Sequence, residues 1–388
     1  MKYQMLFPGY IVASIALFLY SFTQVDLSLT LSSSGLLQTI QKAFQFVGFY
    51  QRTASTALFL GIVGFWFFLY AIVLRVTKKG MLSMKHIWSI VGVVTGLLVF
   101  SYPAFSYDLF NYIFTAKTIL VYHKNPYEVV PLQFAGIDPL VAVMRWTHLP
   151  SAYTPLWILL TLPAYLLGFG KFLLVVWNLK LLVALFYLAA VRGVQKVLEA
   201  VEPTRAPLGT AIFALNPLVV IESLVGAHND IAMMAIAMWA VVFFLEKRRL
   251  ASWFTLALSV AVKLMTLTLV PVMFLIHHKA VDFRKWSLVA IMLGFLIVLS
   301  RREPLPWYGV WFMPFVALFP SKRWLTILFG AYTLALLLRY APYLYYGNWN
   351  APVPILKWWV TIIPVAIAII GILLRGFPKV GIRGPNAG

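Results

Sequence analysis

Asp108, in the run SYDLFNYIFTAKTILVYHKNPY (106–127), is one of only eleven carboxylates in 388 residues. It follows a long apolar stretch, at the level where a membrane span would meet water. A carboxylate there has two uses. It or Ser106 can cap the interfacial helix that begins at LFNYIF, by satisfying free amides. Alternatively, partial dehydration raises its pKa toward neutrality and makes it a general base for an attacking hydroxyl.

A second group of ionisable residues lies in NPLVVIESLVGAHND (216–230). Glu222, His228, Asn229 and Asp230 fall at a helix end where a lone charge would be costly, so they are candidates for substrate binding. The i, i+6, i+8 spacing does not place the three charged groups on one helical face. Gly226 would have to break the helix for the loop to gather them. The alternative is a polar helix junction bonded within itself. Three ligands from one short loop make a thin metal site, so a divalent cation is left open as a cofactor. Lys263, in SVAVKLMTLTLVP, and the pair Arg301 and Arg302 are cations able to hold a phosphate, with His228 as a further donor. Snorkelling is the other reading of Lys263. Lys180 is also intramembrane, with no evident partner. Tyr107, Tyr112 and Tyr153 are candidates to line a sugar pocket, although interfacial tyrosines commonly form an aromatic belt. HKNPY (123–127) reads first as an Asn-Pro turn on the headgroup surface.

These groups must be positioned by a chain that is 62% hydrophobic and 11% charged. A soluble domain of this length could not bury so much apolar surface. The expected fold is all-α, a polytopic integral membrane protein of about 12 transmembrane helices. Spans are expected near 8–24, 55–75, 87–104, 172–193, 207–225, 230–246, 286–300, 307–320, 324–340 and 354–374, with a hairpin of two shorter helices at 250–276. The first stretch lacks a cleavage site and reads as a span, not a signal peptide. The formal charge of +20 is read as lysine and arginine at cytoplasmic helix ends and not as a nucleic-acid surface. Lys78, Lys79 and Lys85, then Lys247 to Arg249, Lys279 with Arg284 and Lys285, Lys322 with Arg323, and the tail (Arg375, Lys379, Arg383) are all placed inside. Both termini are then cytoplasmic, in a cell membrane whose lipids are partners. There are no cysteines, so disulfides and thiolate metal sites are excluded.

YTPLWILLTLPAYLLG (153–168) would invert this topology if it crossed. About 15 residues at 1.5 Å each fall short of the ~30 Å core, and Pro155 and Pro163 interrupt it. It is therefore expected as a juxtamembrane or re-entrant helix. The chain divides into N-terminal helices (1–104), an external loop with juxtamembrane helices (105–171) and a helical core to the C-terminus (172–388). Residues 25–54, with Asp26, Lys42 and Arg52, receive no role.

Five stretches together resemble the glycosyltransferase C superfamily, and most nearly the bacterial polyprenyl-phosphate-mannose-dependent mannosyltransferases. They are 106–127, YTPLW (153–157), ALNPLVVIESLVGAHND (214–230), LALSVAVKLMTLTLVPVMFL (256–275) and WYGVWFMPFVAL (307–318), in the family's order. The resemblance implies a catalytic aspartate in the first long external loop, a place occupied by Asp108. It also implies an acidic residue near the site from a second external loop, here Asp230. The aspartate is single and not a DxD pair, a departure that bears on metal dependence. The expected activity is inverting transfer of a sugar, mannose first, from a polyprenyl-phosphate donor to a lipid-linked or glycan hydroxyl. The rivals are a lipid or solute transporter or flippase, and a polymerase or ligase of lipid-linked glycans.

Overall fold

A computed structural model of the chain describes residues 5–275 and 280–374. Among these the fold is entirely helical, without strands. Lys279, Arg375, Lys379 and Arg383 lie outside the described residues, as does the cytoplasmic tail expected from them.

The first half runs through α1 (Leu6–Phe22), α2 (Gly35–Gln45), α3 (Arg52–Lys78), α4 (Met84–Leu98), α5 (Asp108–Leu120), α6 (Pro155–Leu166) and α7 (Phe172–Val201). The 30 residues of α7 span about 45 Å at 1.5 Å each, enough to cross a bilayer core. Phe172, at its start, stacks on Phe110 of α5 at 6.3 Å between ring centroids. Helix α7 therefore runs from the end of the molecule that holds Asp108 to the opposite end. There follow α8 (Ala206–Ala214), α9 (Pro217–Val220), α10 (Asp230–Leu245), α11 (Arg249–Val262), α12 (Val270–Leu275), α13 (Ala280–Leu299), α14 (Gly309–Ala317), α15 (Arg323–Leu338), α16 (Tyr340–Tyr346) and α17 (Val353–Leu374). The centre of the packing is α10, which lies against α7 and α11. Its residues are apolar all round, as a helix enclosed by protein requires.

Among the described residues four segments can cross a membrane by length and composition: Arg52–Lys78, Phe172–Val201, Arg323–Tyr346 and Val353–Leu374. A fifth is Pro203–Ala214 with Pro217–Val225 if that pair, bent by 56°, counts as one span. Other apolar helices that the hydropathy reading counted toward twelve, such as α1, α4 and α10, have 10–17 residues. The span expected over 307–320 is a nine-residue helix, α14, buried along its whole length. Tryptophan and phenylalanine make that segment as hydropathic as a crossing, but its surroundings are protein.

The segment expected as a hairpin at 250–276 contains α11 and α12 joined by a 3₁₀ turn, Leu264–Leu269, with residue 276 outside the described residues. Helix α6 has 12 residues, in keeping with a segment too short to cross. Buried Lys180 has a partner that hydropathy could not supply: its Nζ donates to the Ser101 carbonyl at 2.5 Å and to Ser101 Oγ at 2.6 Å. Residues 25–54 are built in. Gln45 Nε2 donates to the Asp26 carbonyl at 3.0 Å, and Gln41 Nε2 to that of Leu29 at 2.6 Å, so the polar face of α2 ties down the segment after α1. At Gly48 a Cβ would fall 1.8 Å from the Thr23 carbonyl oxygen, so only glycine lets this cap close on α1.

Candidate active site

Asp108 is the first residue of α5, where its carboxylate faces the positive end of the helix dipole. It does not cap the helix. Ser106 takes part of that role, its Oγ accepting the Asp108 amide hydrogen at 3.1 Å. The Asp108 carboxylate is thereby left to other partners: Tyr153 OH donates to Oδ1 at 3.3 Å, and His228 Nδ1 lies 3.2 Å from Oδ2.

His228 reaches Asp108 because the chain between Asn216 and Asp230 leaves regular α-helix twice. Asn216 Oδ1 accepts the amide hydrogens of Leu218 and Val219, starting α9 after the 56° bend. A π-turn then covers Ile221–Val225, a local distortion of the kind often found at functional sites. Gly226 follows, then Ala227 at φ 55°, and the His228 amide hydrogen bonds back to the Glu222 carbonyl at 3.1 Å. A Cβ at position 226 would lie 2.9 Å from the His228 ring. The helix break assigned to Gly226 is therefore observed, and it folds His228 onto Glu222, with Nε2 3.2 Å from Oε2. Tyr340, from α16, donates to the same carboxylate at 3.0 Å and 3.3 Å. Trp307 stacks on the imidazole at 4.3 Å. The outcome is a line of groups, Asp108–His228–Glu222–Tyr340, assembled from three distant segments.

Asp230 belongs to a neighbouring pair and not to this line. Its Oδ1 lies 2.8 Å from Lys263 Nζ and accepts the Trp311 indole N–H. The Oδ2 atom is buried and has no hydrogen-bond partner among the described residues. An unpartnered lone pair in a buried carboxylate is costly to leave so, and it suits a hydroxyl brought by a ligand. Lys263 sits at the break after α11, with a third of its side chain exposed, and its charge also acts on Asp108.

The remaining expectations divide. Tyr112 is buried, packs edge-on against Tyr153 and Trp157, and its OH accepts the Asn229 amide hydrogen at 3.3 Å. It supports the site more than it lines it. Arg302 lies beside the Tyr308 hydroxyl, next to Trp311, while Arg301 is exposed with no ion pair among the described residues. Tyr107 stands apart from this line of groups. Its OH donates to Asp26 Oδ2 at 3.2 Å and its ring lies under Arg145, away from His228. Being adjacent to Asp108 in sequence, it turns the other way at the start of the helix. HKNPY is an exposed Asx turn, with Asn125 Oδ1 accepting the Tyr127 amide hydrogen at 3.1 Å.

The protonation expected for Asp108 is corrected. Burial alone would raise its carboxyl, but the His228 imidazole, then Lys263 and the Tyr153 hydroxyl, outweigh burial and hold it below 3.8. Burial alone would lower His228, and the Asp108 and Glu222 carboxylates instead push it up from 6.5 to about 9. At neutral pH the line therefore carries an ionised Asp108 against an imidazolium. Both imidazole nitrogens face carboxylates, and no three His, Asp or Glu side chains converge as a metal site needs among the described residues.

An apolar groove of about 620 Å³ runs beside these pairs, between the start of α6 and the α11–α12 break. Thr154 and Leu264, which line it, adjoin Tyr153 and Lys263 in sequence, and Thr154 Oγ1 donates to the Val262 carbonyl at 2.8 Å, so α6 and the Lys263 break are tied together at the groove wall.

A model of one protein family, described as alpha-(1->6)-mannopyranosyltransferase, N-terminal domain (MptA_B family), matches residues 11–279. The chain belongs to this family. The matched segment contains Asp108, the 216–230 turn and Lys263, whereas Trp307, Trp311 and Tyr340 lie beyond it. No curated protein and no solved structure matches the chain. Family membership and the apolar helices together make this a membrane protein of mannosyltransferase type.

Proposed function

We propose that the protein transfers mannose from a polyprenyl-phosphate donor to a hydroxyl of a lipid-linked or glycan acceptor, on the outer face of the cell membrane, with Asp108 as general base. The observation that carries this reading is the partly exposed Asp108 carboxylate paired with His228, next to the Asp230–Lys263 pair, with an apolar groove lined by the adjoining Thr154 and Leu264. The isoprenoid tail would lie in that groove, with its phosphate at Lys263 and Arg302. Asp230 Oδ2 would accept a hydroxyl of the transferred sugar. The outward-facing site follows from the basic clusters placed at the other end of the helices, which also put both termini in the cytoplasm.

The chemistry is one displacement. The acceptor oxygen attacks the anomeric carbon while its proton passes to Asp108. The bond from that carbon to the phosphate oxygen breaks on the opposite face, inverting the configuration, and polyprenyl phosphate leaves. Asp108 has a low pKa, so it takes the proton only as the hydroxyl becomes acidic in the transition state. His228 and Tyr153 hold the carboxylate ionised and oriented, and Glu222 with Tyr340 keeps the imidazole charged. Lys263 and Arg302 meet the charge growing on the phosphate, where a fixed cation in a dehydrated site is worth most.

The test is incubation of purified protein with mannosyl polyprenyl phosphate and a mannoside acceptor. One added sugar per released polyprenyl phosphate is the expected product. Block transfer of a glycan would indicate a polymerase or ligase, and no new bond a transporter.

A further inference from the structure

Residues 301–306 (RREPLP) carry the chain from α13 to α14 and precede Trp307, whose ring lies on that of His228. Glu303, in this turn, is shared by two cations from other helices. Its Oε2 accepts from Arg339 Nη2 at 2.6 Å, and its Oε1 accepts from Lys357 Nζ at 2.8 Å. Arg339 is the joint between α15 and α16. Its Nη1 donates to the Lys357 carbonyl at 3.2 Å and to Thr361 Oγ1 at 2.9 Å. The side chains of Arg339 and Lys357 are only 3% and 11% exposed, against 49% for that of Glu303. One accessible carboxylate therefore ties together the 301–306 turn, the α15–α16 joint and α17. Buried cations hold such a place only while their counter-charge is present.

Two short lengths of chain run from this tie to the Asp108–His228–Glu222–Tyr340 line. Tyr340 is the residue after Arg339, and its hydroxyl donates to Glu222. Trp307 comes four residues after Glu303, with Pro304 and Pro306 stiffening the path between them. These two aromatic side chains complete what the carboxylates begin. Asp108 and Glu222 fix the two imidazole nitrogens, but a ring held at those two atoms can still tilt about the line joining them. The Trp307 face, 4.3 Å away and inclined by 21°, sets the plane of the ring. Tyr340 in turn stacks on Phe105 at 5.0 Å, just before the start of α5.

We infer that Glu303 is a positioning residue for the transfer reaction. Through Arg339 it seats Tyr340 on Glu222, and through the 301–306 turn it seats Trp307 on His228. The imidazole then keeps the orientation that holds the Asp108 carboxylate toward the acceptor. The inference rests on the transferase reading and adds to it a group outside the site on which its rate depends. A tie that did no more than clamp helices would set stability and leave this line alone.

The test measures transfer from mannosyl polyprenyl phosphate to methyl α-mannoside, beside the melting temperature. Glu303→Gln is expected to lower kcat about tenfold and Glu303→Asp, with its charge on a shorter arm, about threefold. A displacement of about 1 Å at a reacting group costs up to about a hundredfold, so losses of this size need only a small shift. The aspartate variant carries the test if the glutamine variant fails to accumulate. In a protein already carrying Trp307→Leu and Tyr340→Phe, the same change at Glu303 should cost less than about twofold more, because the groups through which it acts are gone. Thr361→Val removes a different partner of Arg339 and should lower the melting temperature while kcat stays within about twofold. Unchanged kcat in the Glu303 variants would overturn the inference. So would losses that simply add in the combined variant, or a kcat that tracks melting temperature across the whole set. Failure of the transferase reading shows separately, as no polyprenyl phosphate released by the wild-type protein.

Discussion

The two ends of the bundle carry charged clusters made of similar ingredients. At the site end, Asp108, Glu222 and Asp230 meet His228 and Lys263. At the other, Glu202 Oε2 lies 3.2 Å from Arg284 Nη1, Glu202 Oε1 accepts from Ser321 OH, and Arg205 Nε is 3.9 Å away. The difference lies in how their carboxylates are matched. Arg284 Nη1 also donates to the Leu318 carbonyl at 2.8 Å and the guanidinium lies against Phe319, so both Glu202 oxygens have partners and α13 is clamped to the end of α7, with Arg284 Nε the unpartnered atom there. At the site end Glu222 is fully buried, Asp108 is partly open, and Asp230 keeps a free buried oxygen. Removing charges from water is expensive and is fully offset only when every lone pair finds a donor. The end that leaves one unmatched, beside a groove, is the one arranged for a visitor.

Four experiments test this contrast. Asp108→Asn should lower transfer by roughly 10²–10⁴, the range for loss of a general base, with normal protein levels. Near wild-type turnover in that variant would remove the base assignment. Lys263→Ala should cost about 10²–10³ in kcat. It should also destabilise by about 3–5 kcal/mol, because the buried Asp230 loses its cation and keeps only the Trp311 indole N–H as a partner. In the double variant with Asp230→Asn, stability should return and rate should not, a separation readable from melting curves beside turnover.

The pH response has a definite sign. His228 is raised from 6.5 to about 9, so its stabilising charge is fully present below 6.5 and is lost as pH rises through about 9. Asp108 is held below 3.8, so it is ionised across that whole window. Log kcat/KM should therefore fall on the alkaline side near 9. Glu222→Gln should move that limb toward lower pH, costing several-fold at pH 8, and an unmoved limb would detach Glu222 from the imidazole. The smallest effect belongs to the other end. Glu202→Gln should lower stability by about 2 kcal/mol, the scale of hydrogen bonds to a charged group, with kcat/KM within twofold of wild type. A large loss of rate there would erase the distinction between the ends.

What could be read from the sequence follows the same physics. Asp108 and the 222–230 group stood out because carboxylates and imidazoles are rare in so apolar a chain, and the break at Lys263 and the shortness of α6 showed in their patterns. Trp307, Trp311 and Tyr340 gave no such signal, since aromatic residues in apolar runs look the same whether they pack against lipid or against an imidazole. Asn111, which lies beside the Tyr153 hydroxyl, was missed too, although its place three residues after Asp108 puts it on the same helical face. The pKa of Asp108 was expected to rise because dehydration was visible in the hydropathy, whereas the opposing imidazole comes from 120 residues away. The pairing of Tyr107 with Asp26 and Arg145 had no sequence signal, because adjacency in sequence says little about direction at the first turn of a helix. The count of crossings is the least legible property, because a buried protein helix such as α14 and a lipid-facing one share a composition.

The π-turn at 221–225 makes the site sensitive to length more than to composition. Such a turn amounts to one residue inserted into an otherwise regular helix. Deleting any one of its five residues would relax the segment to ordinary α-helix without breaking its hydrogen bonding. With the wide turn gone, the Gly226–His228 loop would lose the spacing that sets the imidazole between its two carboxylates. A well-folded, membrane-inserted and inert enzyme is the outcome, so shortening this segment by one residue is a way to switch the protein off while leaving its architecture standing.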